Sequence, residues 1–312
     1  MLNDMRQLTP TLFNELKEGS FKPLLEYVKA DDTLDLEFRG NYFTIYYRGG
    51  ALLSVSENPD GMYNWDGLTK EYLLTGKKKY EQKHKDVKCF EEYIPEAKHI
   101  IDRYIVLSPK NHLGEKEIQQ LVVKENNYSP NSQDTDYFIV DMEYEEAGGD
   151  GRFDLIALRW DSTGAVRKKD VVSLAVIEVK QGYNAVRTSI TVKEGKQRIN
   201  PGLKKHQQDF ISFIGKESLS SFCEDMVMIF KQKCELGLIL ANDKIENIKQ
   251  DFQLRVEGNI DFICLLANYK KASDNLCNEL AEMESCRFIR SHHMGYGLFA
   301  DEIFTLTSKD FK

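Results

Sequence analysis

The chain has 312 residues, 41% of them hydrophobic and 29% charged, which is the composition of a folded globular protein with room for two modules and not of a disordered chain. No apolar run approaches membrane-spanning length, Met1-Leu2-Asn3-Asp4 lacks the basic and apolar regions of a secretory signal, and the six cysteines show no CxxC spacing. A cytoplasmic protein with reduced thiols and no membrane partner is therefore expected, while a net charge of −8 weighs mildly against a nucleic-acid partner.

The first stretch, residues 1–108, reads as a separate α+β module. Helical periodicity over about 4–18 and 21–29 precedes an aromatic β region. There Leu34, Leu36 and Phe38 alternate with polar residues, and the runs 42–47 and 51–55 flank Arg48-Gly49-Gly50, a hairpin turn; a three-stranded meander is expected. Its aromatic and basic residues suit a half-buried sheet face better than base stacking. Lys77-Lys78-Lys79 reads as solvated surface, helical patches surround Pro95 over about 86–107, and Ser108-Pro109-Lys110-Asn111 marks a boundary. This module could recognise DNA, bind a partner protein or mediate a homodimer.

The second module, 109–312, opens with a helix over about 112–126, followed by strands over about 136–145, 152–160 and 171–180. A long loop, Gln181 to Pro201, leads to a helix over about 202–216 and a strand over 235–241. A further apolar strand at 260–267, a helix at about 270–285 and a strand or hairpin from Arg287 to Phe304 complete the chain. No repeat or low-complexity segment interrupts it.

The chemistry sits at the ends of two of these strands. Asp154 lies within an apolar run (Phe153, Leu155, Ile156), and the run from Val171 ends in Glu178-Val179-Lys180. Charges in buried strands cost several kcal/mol unless paired or metal-bound. Strand alternation points Glu178 and Lys180 the same way and Val179 into the core. Asp161-Ser162-Thr163-Gly164 suits a hairpin that would bring Asp154 beside Glu178, so two acids and a lysine converge on a site for a hard divalent cation acting on phosphate. Residues 166–205 hold ten Lys/Arg against three acids, a basic setting for such a substrate.

The wording Gly-Arg-Phe-Asp, residues 151–154, with Ile-Glu-Val-Lys, residues 177–180, resembles the PD-(D/E)XK nuclease superfamily, close to its RecB-like and NucS-like branches. Phe153 stands where some members have proline. The resemblance implies an α/β fold with a restriction-endonuclease-like αβββαβ core and a mixed central sheet. It implies a Mg²⁺-dependent nuclease (Mn²⁺ substituting), endo- or exonucleolytic, acting on DNA, with RNA the alternative substrate. Asp154, Glu178 and the carbonyl of Val179 would hold the ion, with Glu115 in its outer shell or on a second ion, and Lys180 would orient the attacking water.

Glu115 in Glu-Lys-Glu-Ile-Gln resembles the helix acid of NucS-like members, and Ile118, Leu121 and Val122 define the buried face on whose edge it lies. Glu117 is the alternative, and both could simply stabilise the helix N-terminus. Gln207, starting Gln-x-x-Phe, resembles a RecB-like pattern and could hold a phosphate oxygen or the attacking water, or be an exposed helix residue. Arg187, Lys193, Lys196, Arg198, Lys204 and Lys205 are the candidate phosphate contacts, on or near a loop long enough to be functional. Asp141 and Glu143 read as solvent-face alternation in preference to ligands of a second ion, and His292-His293 as surface. No P-loop, GxGxxG, Gly-x-Ser-x-Gly, HExxH, helicase or methylase motif is present. The competing expectation is a catalytically silent nucleic-acid-binding or assembly protein on the same fold.

Overall fold

The computed structural model describes residues 5–68, 72, 90–107, 114–129, 134–146, 151–163, 170–181, 186–193, 196–200, 202–240, 253–267, 274–283, 286–291 and 295–306. The chain is mixed α/β, with one antiparallel sheet, one larger mixed sheet, and seven α-helices among the described residues. No helix among them is long and apolar enough to cross a membrane.

The first helix, α1 (Pro10–Lys17), starts where the Thr9 side chain accepts the Leu12 N–H and Pro10 supplies a preset φ. It packs beside α2 (Lys22–Ala30). Strands β1 (Leu34–Phe38), β2 (Tyr42–Tyr47), β3 (Gly50–Glu57) and β4 (Tyr63–Asp66) then form an antiparallel sheet in chain order. The expected meander thus has a fourth strand, set by Asn58-Pro59-Asp60-Gly61 turning the chain back (Gly61 φ +74°). The β2–β3 hairpin turns on Arg48 and Gly49, both at positive φ, the twist that a two-residue turn needs. The patches around Pro95 are one helix, α3 (Phe90–Leu107). The lysine run at 77–79 and the boundary at 108–111 lie outside the described residues.

Next come α4 (Glu115–Asn127) and strands β5 (Tyr137–Glu145), β6 (Arg152–Arg159) and β7 (Val171–Gln181), antiparallel in succession as the hairpin reading expected. On α4, Ile118, Val122 and Val123 are buried, but Leu121 is 40% exposed, so the apolar face is turned one residue from the expected one. The stretch expected as a bare loop contains a hairpin, β8 (Ser189–Lys193) with β9 (Lys196–Asn200). Two helices follow, α5 (Leu203–Ile214) and α6 (Leu219–Glu235).

The strand expected at 235–241 is absent over its described part. Glu235 ends α6, and Leu236 and Gly237 (φ +72°) close the helix through backbone bonds to Gln232 and Cys234. The apolar run 236–240 is instead a turn that buries Leu236, Leu238 and Ile239. The place in the sheet beside β7 is taken by β11 (Asp261–Ala267), parallel to it, with short β10 (Arg255–Val256) also pairing β7 in parallel. After α7 (Asp274–Ala281), β12 (Cys286–Ser291) adds in parallel and β13 (Phe304–Leu306) closes the edge antiparallel. The sheet order is β13-β12-β11-β7-β6-β5.

One sheet face packs on α4 through Leu155, Ala157, Ile177, Val179 and Leu265. The opposite face packs on α5 and α6 through Ile156, Leu158, Val176, Phe210 and Phe230, and this cluster continues into α1, α2 and the four-stranded sheet. The junction is also polar. Every residue of β1 is buried, and its acids face α4, β5 and α6: Tyr128 donates to Asp35 (2.9 Å) and Lys233 Nζ lies 2.8 Å from Glu37. Arg6 and Arg39 both pair with Asp141. Asp141 is therefore 1% exposed and not on the solvent face expected of it.

Candidate active site

The β6–β7 ladder runs from Arg159↔Ser173 to Leu155↔Ile177 and stops there. One residue further, Asp154 takes over with its side chain: Oδ2 accepts the Val179 N–H at 2.8 Å. Phe153 packs with Phe210 and Phe213 on the α5 face while Leu155 packs on the α4 face, so β6 changes its alternation at Asp154. The irregularity turns the carboxylate toward β7 and not into either core.

On β7, Glu178 and Lys180 share the α5 face, and Lys180 Nζ lies 2.6 Å from Glu178 Oε1. Both are buried, at 1% and 5% exposure. The same Oε1 is 3.1 Å from Nε2 of His206 on α5. Glu178 Oε2 is buried without a hydrogen-bond partner. From the other face, Glu115 at the start of α4 reaches the end of β7, its Oε1 accepting the Gln181 N–H at 3.2 Å.

These distances set the electrostatics. Burial pushes the Asp154 carboxyl up to about 6; Lys180 and the Val179 amide oppose the rise, while Glu115 and Glu143 add to it. Burial, and then the neighbouring Asp154, holds Glu178 well above the usual carboxylate range. Burial works against the charge on Lys180, but Glu178, Glu115 and Asp154 together keep it protonated. His206 is pushed down to about 3 by burial and by Lys180, Lys205 and Arg152, so it is a neutral imidazole at pH 7.

Three carboxylates thus surround one lysine, with a buried oxygen left over. Such a donor set suits a hard, oxygen-seeking cation, and a cation would relieve the excess negative charge. Among the described residues no three His, Cys, Asp or Glu side chains close around a common point, because the carboxylates take the Val179 amide, Lys180 and the Gln181 amide as partners.

The sequence candidates divide accordingly. Asp154, Glu178, Val179, Lys180 and Glu115 come together. Glu117 is engaged elsewhere, bound at 3.0 Å by Arg48 Nε, so Glu115 is the acid that α4 turns to β7. Gln207 is half-buried on α5, and the contact to Glu178 comes from its neighbour His206. His206 was legible only as one polar position on the apolar face Leu203, Phe210, Phe213, three before and four and seven after in heptad-like spacing. Arg187 is exposed; Lys204 pairs with Glu282 at 2.7 Å and Lys205 with Asp209. Lys193, Lys196 and Arg198 stand on the β8–β9 hairpin with their side chains outside what is described, as are residues 164–169 and His292-His293. Comparison with known proteins gives no match: no family model, no curated protein and no solved structure matches the chain.

Proposed function

We propose that the chain is a metal-dependent nuclease of the PD-(D/E)XK kind that hydrolyses phosphodiester bonds, with DNA the favoured substrate over RNA. The observation that carries this reading is the cluster of buried acids: Asp154 beside the β7 amide, and Glu178 paired with Lys180 through one oxygen with the other buried and unpartnered. A protein gains no stability from such an arrangement, since each buried carboxylate resists ionisation. The order of elements supports the restriction-endonuclease-like reading: α4 with its acid, the antiparallel β5, β6 and β7, the helices α5 and α6, then β11 parallel to β7.

Asp154, Glu178 and the Val179 carbonyl would hold Mg²⁺, with Glu115 beside them. When bound, the ion supplies Lewis acidity, lowering the pKa of water and polarising a phosphate oxygen. Lys180, kept protonated by its acidic neighbours, orients the attacking water and offsets charge developing on the phosphorus oxygens. His206, neutral, keeps Glu178 Oε1 occupied together with Lys180, which leaves Oε2 facing the site. The exposed Arg187 and the basic β8–β9 hairpin supply backbone phosphate contacts.

The test is cleavage of a labelled panel of single- and double-stranded DNA and RNA with Mg²⁺ or Mn²⁺. Cleavage that disappears in Asp154→Ala and Lys180→Ala supports the reading, and the panel names the substrate. Binding of nucleic acid without cleavage of any member would move the assignment to a silent binding protein.

A further inference from the structure

Two non-glycine residues among those described have left-handed backbones, Arg48 (φ 50°) and Glu143 (φ 57°). L side chains avoid this region unless their surroundings hold them there. Arg48 sits at the tip of the β2–β3 hairpin and Glu143 on β5, far apart in the chain, yet both side chains end on the same helical turn. Arg48 Nε binds Glu117 Oε1 at 3.0 Å, and Lys116 Nζ binds Glu143 Oε1 at 2.6 Å.

That turn is the first of α4, and it carries Glu115. It has little to hold it by itself: the N-cap is Gly114, which offers no capping side chain. The hairpin compensates. Gly49 (φ +71°) lies so close that a side-chain carbon there would run into the backbone of Lys116 and Glu117. Its N–H donates to Gln120 Oε1 at 2.7 Å, and Gln120 Nε2 returns bonds to the carbonyls of Thr33 and Tyr46. On the β5 side the same module holds the strained residue, since Arg39 donates to the Met142 carbonyl and Arg6 to the Glu143 carbonyl.

We propose that the N-terminal module forms a built-in clamp on the candidate active site: its Arg48 and Gly49, together with Glu143 of β5, grip the first turn of α4 and thereby present Glu115 to the end of β7. Arg48, Glu117, Lys116 and Glu143 are positioning residues that act through Glu115. The purpose of the clamp rests on the nuclease reading, whereas its geometry does not.

The Gln181 amide reports on the clamp directly, because Glu115 Oε1 is its acceptor. Hydrogen exchange at that amide, followed by NMR in the full chain, is measured for the wild type, Glu115→Ala, Arg48→Ala, Glu117→Ala and Glu117→Gln. Loss of a charge-assisted bond should speed exchange about ten-fold in Glu115→Ala. The clamp predicts a similar acceleration in Arg48→Ala and Glu117→Ala, with Glu117→Gln, which keeps the acceptor for Arg48, close to wild type. Exchange unchanged in Arg48→Ala and Glu117→Ala, or unchanged in Glu115→Ala itself, overturns the proposal. If Arg48→Ala fails to fold, the contrast between Glu117→Ala and Glu117→Gln decides it. Cleavage by the same wild-type sample is scored separately. A wild type that cuts nothing yet shows the predicted exchange pattern retains the clamp and loses the nuclease.

Discussion

Two buried charge clusters sit within this chain, and they are built on opposite rules. At the junction between the four-stranded sheet and the larger one, Arg6, Arg39 and Lys233 face Asp35, Glu37, Asp141 and Asp225, with Asp141 held directly by two arginines and Glu37 by Lys233. Around the end of β7, Glu178 pairs with Lys180, while Asp154 and Glu115 are held by the backbone amides of Val179 and Gln181, with no ion pair to either among the described residues. The first cluster holds the two sheets in register. The second leaves negative charge uncompensated in a place where burial makes that costly. Direct cation contacts mark the junction as an ion-pair network, and carboxylates held mainly by backbone amides are what the proposed cation site rests on.

Substitutions separate the two clusters most sharply by which property they change. Asp154→Ala and Lys180→Ala should lower metal-dependent cleavage by about a thousand-fold or more, because both act where charge develops in the transition state, while thermal denaturation shows both variants folded. At the junction the ranking reverses. Arg39→Ala leaves Asp141 buried with one fewer partner and should cost about 3–5 kcal/mol in denaturant unfolding. A loss under about 1 kcal/mol there would mean the junction is no tighter than a surface ion pair.

Glu178→Gln sharpens the contrast further. It removes a buried like charge from beside Asp154 while its amide oxygen can still accept from Lys180, and should stabilise the ion-free protein by about 1 kcal/mol at pH 8 while abolishing cleavage. The corresponding Asp141→Asn at the junction should destabilise. If Glu178→Gln lowers the melting temperature as Asp141→Asn does, the two clusters obey one rule and the distinction fails.

The pH dependence follows the same logic. A carboxyl whose pKa rises on folding favours the native state while protonated. For Asp154, that stability is complete below about pH 4 and is lost as the pH climbs through about 6. Glu178, held well above the usual carboxylate range by burial and by Asp154, adds to that loss. Divalent cations should therefore raise the melting temperature more at pH 8 than at pH 5, and an equal shift at both would contradict the shifted carboxyls. Glu37 at the junction is pushed up to about 8 by burial, against the pull of Lys233, so it lowers stability over the same rise in pH but gives no cation-dependent recovery. The smallest effect belongs to Arg187→Ala. The exposed arginine should change the salt dependence of DNA binding by about 0.9 in slope if it neutralises one phosphate, with the cleavage site unaltered.

Much of this was legible in the sequence, for identifiable reasons. Asp154, Glu178 and Lys180 stood out because charges interrupt apolar strands, and β6 and β7 are apolar runs bounded by turn signals, which lets them be placed closely. The run 235–241 misled because its apolar residues suit a strand as well as the buried turn that ends α6, and periodicity cannot separate the two over so short a span. Asp141 looked like solvent-face alternation, since nothing local signals that Arg6 and Arg39 arrive from more than a hundred residues away. His206 and the Arg48 clamp were invisible for the same reason: their meaning lies in tertiary contacts with Glu178 and Glu117.

The imbalance itself is tested most directly by calorimetric titration of Mn²⁺ into the purified protein at pH 8, alongside Asp154→Asn and Glu178→Gln. Saturable binding by the wild type that is lost in both variants is the predicted result. Absence of binding in the wild type, or binding of equal strength in all three proteins, would show that the uncompensated charge around β7 does not serve a cation.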